Sequence, residues 1–212
     1  MSALGMLDVR RGPYVQTVTG GHWWSFSPHP EDVRLADILA LRRVCRFGGH
    51  LRDEIDLYVV LEHGVRVAWL VRELGGSALE CLAALHHDSH EAYPPGDQLG
   101  PVLRAMRSAD ACALLRLTPD AFAGLLEVER RAKVAVRVAL GVQHVFECEA
   151  SAKLIKHADM VLLATERRDV MAPSDVDWGS LPEPLRSPIV PWSPREAARL
   201  FLQTHEQLGG RL

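Results

Sequence analysis

The stretch Leu82 to Asp97, LAALHHDSHEAYPPGD, begins as an apolar helix and ends in a proline–glycine turn, with three histidines, two aspartates and a glutamate between. Ser77-Ala-Leu-Glu80 just ahead of it is a capping-box pattern, in which serine and glutamate satisfy each other's backbone N–H groups. A helix therefore starts at Ser77, and Pro94-Pro95-Gly96 stops it. The polar run reads either as a solvated helix end or as a metal site with its acid–base group one turn further on. Adjacent helical side chains diverge by about 100°, yet a long imidazole at His87 and a short carboxylate at Asp88 can both reach a cation beside the helix. Mixed nitrogen and oxygen ligands suit Mn, Fe, Co, Ni or Zn. Glu91 follows His87 by four residues and Asp88 by three, so it shares their face. At about 6 Å of rise it is too far along to be an obligatory ligand, and is placed to polarise water. His86 and His90 have the spacing of the zinc-protease helix, but that motif requires glutamate where His87 stands, so that reading is set aside.

Two distant segments strengthen the metal reading. Within LYVVLEHGVRVAWL, Glu62 and His63 interrupt an apolar helix, and KLIKHADMVLLATE carries Lys156, Asp159 and Glu166 in another. Ionisable groups on buried faces are costly unless paired or metal-bound. Three apolar helices each carrying a His or Asp are what convergence on one ion requires.

The rest of the chain reads as helical. Helices are expected over Asp32–Val44, Ile55–Leu74, Ser77 to the proline turn, Val102–Leu115, Pro119–Leu140, Ser151–Val170, and from Ser193-Pro-Arg-Glu196 to Gly209-Gly210. Gly75-Gly76 fits a left-handed cap, and Thr118-Pro119 an N-cap followed by proline. Ser174–Pro191 is an extended surface loop, and strand signals are confined to residues 1–30. The expectation is one all-α domain over 1–212: an irregular arm at 1–30, a helical core at about 31–172, and a loop with a final helix at 173–212.

Composition sets the outer bounds. The chain has 212 residues, a net charge of −3 and 48% hydrophobic residues, enough for one substantial core and with no global positive field to recruit nucleic acid. Cys45, Cys81, Cys112 and Cys148 show no CxxC spacing and read as reduced packing residues. MSALGMLDVRRG lacks the apolar core of a signal peptide, and no apolar run approaches the roughly 20 residues of a membrane span. A soluble, cytoplasmic protein is expected.

The order E-H, then H-D-x-x-E, then K-x-A-D resembles the HD-domain metal-dependent phosphohydrolases. It is most similar to their compact branch, the YfbR-type 5′-deoxynucleotidases and small phage-type HD hydrolases, which include deoxynucleoside triphosphate triphosphohydrolases. The matching pieces are CRFGGH, VLEHGVRVA, AALHHDSHEAY, GDQLGPV and KLIKHADMVLLATE, across roughly positions 35–170. The resemblance implies an HD-type helical bundle with His63, His87, Asp88 and Asp159 as metal ligands and Glu91 as the water-activating group. Arg46 and Phe47 match an Arg–aromatic pair that holds phosphate and sugar or base, and Asp97 an aspartate near the sugar. Lys156 belongs to the last motif and neutralises phosphate or tunes Asp159. Two departures stand out: YPPGD lengthens the link into the GD turn, and Leu103 stands where a basic residue often follows Pro-Val, with Arg104 one later.

The reaction implied is hydrolysis of nucleotides, with deoxynucleoside monophosphates as substrates. The alternatives are triphosphate release from a deoxynucleoside triphosphate, a non-catalytic nucleotide-binding module, and a two-iron redox enzyme, for which this chain lacks the additional His and Asp ligands. The cofactor expected is a divalent transition metal (Mn, Co, Fe, Ni or Zn), with Mg the candidate for a second ion. His50, in a flexible loop, is a phosphate contact or a surface residue, and His90 lines the pocket. Arg42, Arg43, His22, His29, His144, His157 and His205 read as incidental or structural, Trp23-Trp24 as packing of the arm, and Trp192 as an anchor of the last helix. The partner expected is a nucleotide, with no polymeric nucleic acid and no membrane. Apolar residues on more than one face of Pro119–Leu140 fit either a single core or a subunit contact, and the resemblance to the oligomeric YfbR-type enzymes implies a homo-oligomer.

Overall fold

Tyr93 fixes where the first helix begins. Its hydroxyl accepts the Arg34 N–H at 3.0 Å, and both Val33 and Arg34 stay extended. The single helix expected over Asp32–Val44 is therefore a chain of short turns. The computed structural model describes residues 11–97, 100–114, 116–118, 120–176 and 178–212. Pro119, Leu115 and the side chain of Arg104 lie outside them, so the expectations placed there are not addressed. The arm forms a two-residue antiparallel pair, β1 (Val15–Gln16) and β2 (His22–Trp23), with Val15 opposite Trp23. Trp23 is fully buried and stacks on Tyr93 at 3.9 Å, so it packs the arm as expected. A 3₁₀ turn at Pro30–Asp32, α1 (Leu35–Ile38) and a 3₁₀ turn at Leu39–Arg43 follow.

Residues 44–46 pair with 58–60. Arg46 N–H donates to Tyr58 O at 2.8 Å and Val60 N–H to Val44 O at 3.1 Å. This pairing holds Val59 extended, so α2 (Val60–Glu73) starts later than its apolar stripe suggested. Gly75, at φ +89°, ends it. Gly75 N–H bonds Arg72 O and Gly76 N–H bonds Val71 O, the double closure of a Schellman cap. Both bonds of the Ser77–Glu80 capping box open α3 (Ala78–Leu85).

Here the structure departs from the expected continuous helix to Pro94. α3 ends at Leu85, His86–Asp88 form a turn, and Ser89–Ala92 is 3₁₀. The expected 102–115 helix is two, α4 (Gly100–Met106) and α5 (Ala109–Leu114). Then come α6 (Ala123–Ala139), α7 (Gln143–Glu147), in a stretch to which the sequence assigns no helix, α8 (Glu149–Asp169) and α9 (Pro194–Gln207). The Ser174–Pro191 loop lies along α8, held by Leu185 N–H to Thr165 Oγ1 and Ile189 N–H to Asp169 Oδ2. The architecture is all-α with one small sheet.

α2 is the axis of the core and packs against α3, α8 and α9. Val65, Val67 and Val71 are fully buried. Gly64 permits the close approach of α3: a Cβ there would stand 2.7 Å from Leu85 O. The four cysteines are free thiols, and no helix among the described residues is long and apolar enough to cross a membrane. On α6, Val134 and Val138 stay exposed while Ala132, Ala135 and Val136 are buried.

Candidate metal centre

The break after Leu85 brings His87 and Asp88 together. On a continuous helix the two side chains would diverge. In the turn His87 Nε2 lies 3.1 Å from Asp88 Oδ2. His63, from the adjoining face of α2, brings its Nε2 to 3.2 Å from His87 Nε2 and 3.7 Å from Asp88 Oδ2. His63, His87 and Asp88 thus offer three ligand atoms within 4.8 Å of one another, a group that can hold a metal ion. Asp159, from α8, adds Oδ1 at 3.3 Å from His63 Nε2 and 3.8 Å from His87 Nε2. Ligands about 2.1 Å from one ion, at tetrahedral or octahedral angles, stand about 3.0–3.4 Å apart; three of these five separations fall in that range, and the two at 3.7 and 3.8 Å are wider.

Proton placement makes the same point. His87 Nδ1 lies 2.7 Å from Ala84 O, and a carbonyl only accepts, so Nδ1 carries the hydrogen. His63 Nδ1 lies 2.6 Å from Glu166 Oε1, which also accepts from Tyr58 OH at 2.8 Å. With no second proton on either ring, the two Nε2 lone pairs face each other and two carboxylates. That arrangement is repulsive unless a positive charge lies between, and a carboxylate or carbonyl behind each imidazole is the usual support of a metal-bound histidine. His63 is fully buried, whereas Asp88 and Asp159 keep 23% and 18% of their side chains exposed, so the cluster opens to solvent on its carboxylate side.

The electrostatics favour a cation. Burial and Arg46 pull His63 down, but Glu166 and Asp159 outweigh them and push it up to about 9. Burial would raise Asp88, yet His87, His63 and Arg46 hold it well below the usual carboxylate range. Burial likewise opposes ionisation of Asp159 and Glu166, and their His and Arg neighbours override it. The field that keeps a proton on His63 is the field a metal ion would find.

Arg46 bridges the cluster and its support, with one nitrogen 3.5 Å from Asp88 Oδ2 and another 3.4 Å from Glu166 Oε2. Its Nε is buried with no hydrogen-bond partner. Phe47 adopts φ +57° and ψ +23°, a left-handed conformation that costs a bulky residue on the order of 1–3 kcal/mol. That turn leaves the Phe47 ring 5.3 Å from the Arg46 guanidinium carbon.

Glu91 lies in the 3₁₀ turn beyond Asp88. Its Oε2 is buried without a hydrogen-bond partner, and burial with Asp88 and Asp97 pushes its carboxyl well up. Asp97 is raised by burial and by Asp88 against the pull of Arg46, so it belongs to the same charged neighbourhood. Lys156 binds the other oxygen of Asp159, Oδ2, at 2.8 Å with 67% of its side chain exposed. His50 is exposed, its N–H bonded to Phe47 O. His90 is buried beneath α6, where burial, Lys133 and Arg137 bring it down to about 3.

Several residues join the site that the motifs did not supply. Glu166 was noted only as an ionisable residue on an apolar helix, and the structure makes it the partner of His63. Tyr58 was missed because one aromatic in an apolar run looks like core. Lys133 and Arg137 of α6 act on His90; a cation recurring every four residues on α6 is the one signal that marks them. Glu62, by contrast, turns away, bonding Arg66 and Trp192 N–H. His86 is no metal partner of His90, since it bonds Ser89 Oγ and His205 Nδ1, both at 2.8 Å. His205, read from the sequence as incidental, is thereby a buried structural residue.

No family model matches the chain. It is similar to the uncharacterized protein YfdR of Escherichia coli (strain K12), with 29% identity over 199 residues covering 92% of this chain and 95% of that one.

Proposed function

We propose that the protein is a metal-dependent phosphohydrolase acting on nucleotides, with deoxynucleoside 5′-monophosphates as its substrates. The observation that carries this reading is the clustering of His63 Nε2 and His87 Nε2, 3.2 Å apart, with Asp88 and Asp159 beside them. It agrees with the resemblance of the sequence motifs to HD-domain phosphohydrolases. When bound, a divalent ion at His63, His87, Asp88 and Asp159 supplies positive charge to a phosphate oxygen and acidifies water.

The chain's own residues do the rest. Glu91 Oε2, buried and unpartnered, accepts the proton of the attacking water. Arg46 donates to the phosphate oxygens, where its planar, permanently charged fork stabilises the charge that builds on the leaving phosphate. As water attacks phosphorus, the bond to the 5′ oxygen breaks, that oxygen takes up a proton from solvent while Glu91 gives back to solvent the one it accepted, and nucleoside and inorganic phosphate leave. Phe47 presents a face to the sugar or base.

The test is a panel of deoxynucleoside mono- and triphosphates and ribonucleotides offered to protein loaded with Mn or Co. Phosphate release from monophosphates is expected. Release of triphosphate instead would reassign the substrate, and nucleotide binding without turnover under any metal would overturn the hydrolase reading.

A further inference from the structure

The metal cluster continues outward along a strip of rings and guanidinium groups. Asp88 contacts Arg46, whose guanidinium carbon lies 5.3 Å from the Phe47 ring. The Phe47 ring centre is 6.3 Å from that of Trp178, the two planes inclined at 56°. The Arg167 guanidinium then sits 5.1 Å from the Trp178 ring. Phe47 and Trp178 are far apart in sequence and come from a strained turn and from the loop after α8. Arg167 also donates to Val176 O at 2.5 Å, which ties this part of the loop to α8. Trp178 is only half-buried; its ring partner Phe47 packs against the edge of the hydrophobic core, whereas Trp178 itself is not among the core side chains. The ring of Trp178 stands between a half-buried phenylalanine and an arginine, at the margin of the core and in line with Arg46.

We infer that Trp178 and Phe47 form two walls of a corner that receives a planar heteroaromatic ring, the nucleobase of a substrate whose phosphate is held at Arg46. Base-on-aromatic stacking tolerates any base because each has a π-face, and an inclined pair offers one face and one edge, the geometry aromatic groups prefer. Arg167 positions the Trp178 ring by lying against it. The corner therefore demands a base without selecting which one. This inference rests on the nucleotide reading only for the choice of ligand.

The experiment is calorimetric binding to the metal-loaded full chain, in a Glu91→Gln background that suppresses turnover, of a deoxynucleoside 5′-monophosphate and of base-free deoxyribose 5-phosphate. The nucleotide is expected to bind more tightly than the sugar phosphate. Trp178→Ala should weaken the nucleotide by about 5- to 100-fold, the span of one lost stack, and leave the sugar phosphate within about twofold. Trp178→Phe should recover part of the loss. Equal weakening of both ligands would make Trp178 a packing residue of the loop and overturn the inference. So would equal affinity of the unsubstituted background for the two ligands, or an unchanged nucleotide affinity in Trp178→Ala. Failure of the wild type to hydrolyse any phosphate ester would instead overturn the hydrolase reading and leave the binding result to stand.

Discussion

Two histidine pairs lie side by side in this molecule, one partly open to solvent and one buried. His63 and His87 face each other at 3.2 Å, and His86 and His205 at 2.8 Å. His86 and His87 are neighbours in sequence, yet their pairs are built on opposite logic. In the first, the remote nitrogen of each ring is committed to an oxygen acceptor, so the two inner nitrogens face each other and a positive charge, a proton or a metal ion, is called for beside them. In the second, His86 Nε2 and His205 Nδ1 share one hydrogen, Ser89 Oγ takes the far side of His86, and the Phe201 ring meets His86 edge-on at 5.0 Å. A proton already closes that contact. What a histidine pair does is set by the partners of its outer nitrogens.

The comparison breaks most sharply at the ligands. His87→Ala or Asp88→Ala should lose bound metal and turnover together, while His205→Ala keeps full metal content. Elemental analysis of the purified variants decides this, and an Asp88→Ala protein at wild-type stoichiometry would end the ligand assignment. Glu91→Gln comes next: metal retained, hydrolysis slower by roughly 10²–10⁴-fold, the range for loss of a general acid–base group. Glu166→Gln tests the outer partner, and metal affinity should weaken by about 10–100-fold in a chelator competition. An unchanged affinity there would show that the outer partner does not matter.

The second pair should answer in stability alone. His205→Ala leaves His86 Nε2 unpartnered in the core and should cost about 1–3 kcal/mol in denaturant unfolding. The smallest effect concerns pH. Burial lowers both His205 and His86 below the ordinary imidazole value. As pH falls below about 6.5 the unfolded chain takes up protons that the folded pair refuses, so stability declines with falling pH in that window and levels off above it. His205→Gln should flatten this slope by at most about 1.4 kcal/mol per pH unit, the value for one proton. A steeper slope in the variant would put the titration elsewhere.

The same contrast marks the limit of what was legible. Helical content, the glycine caps, the capping box at Ser77, the convergence of His63, His87 and Asp88, and the run of loop after α8 all follow from spacing and residue type. Helix ends fared worse. Periodicity reports an apolar face but not the tertiary bond that stops or delays a helix, such as Tyr93 OH on Arg34 N–H or the 44–46 pairing with 58–60. At the site, Asp88 was expected to reach the cation from a regular helix, and the turn at His86–Asp88 supplies that reach instead. Glu166, Tyr58 and Trp178 act through partners more than a hundred residues away or from a loop, and nothing in their local sequence encodes a partner. His205 was discounted because a lone histidine near the end of a chain resembles a surface residue.

Gly64 couples two properties that are usually tuned apart. It follows His63 directly, and the backbone it touches, Leu85 O at 2.7 Å from a notional Cβ, lies two residues before His87. Any side chain at 64 would wedge α2 from α3 beside the paired imidazoles, because a packed interior cannot absorb the added volume in place. The bore between the two Nε2 atoms is thus gauged by a missing methyl group. A side chain at 64 would disturb the packing of α2 on α3 and the spacing of the two imidazoles together, without touching either ring.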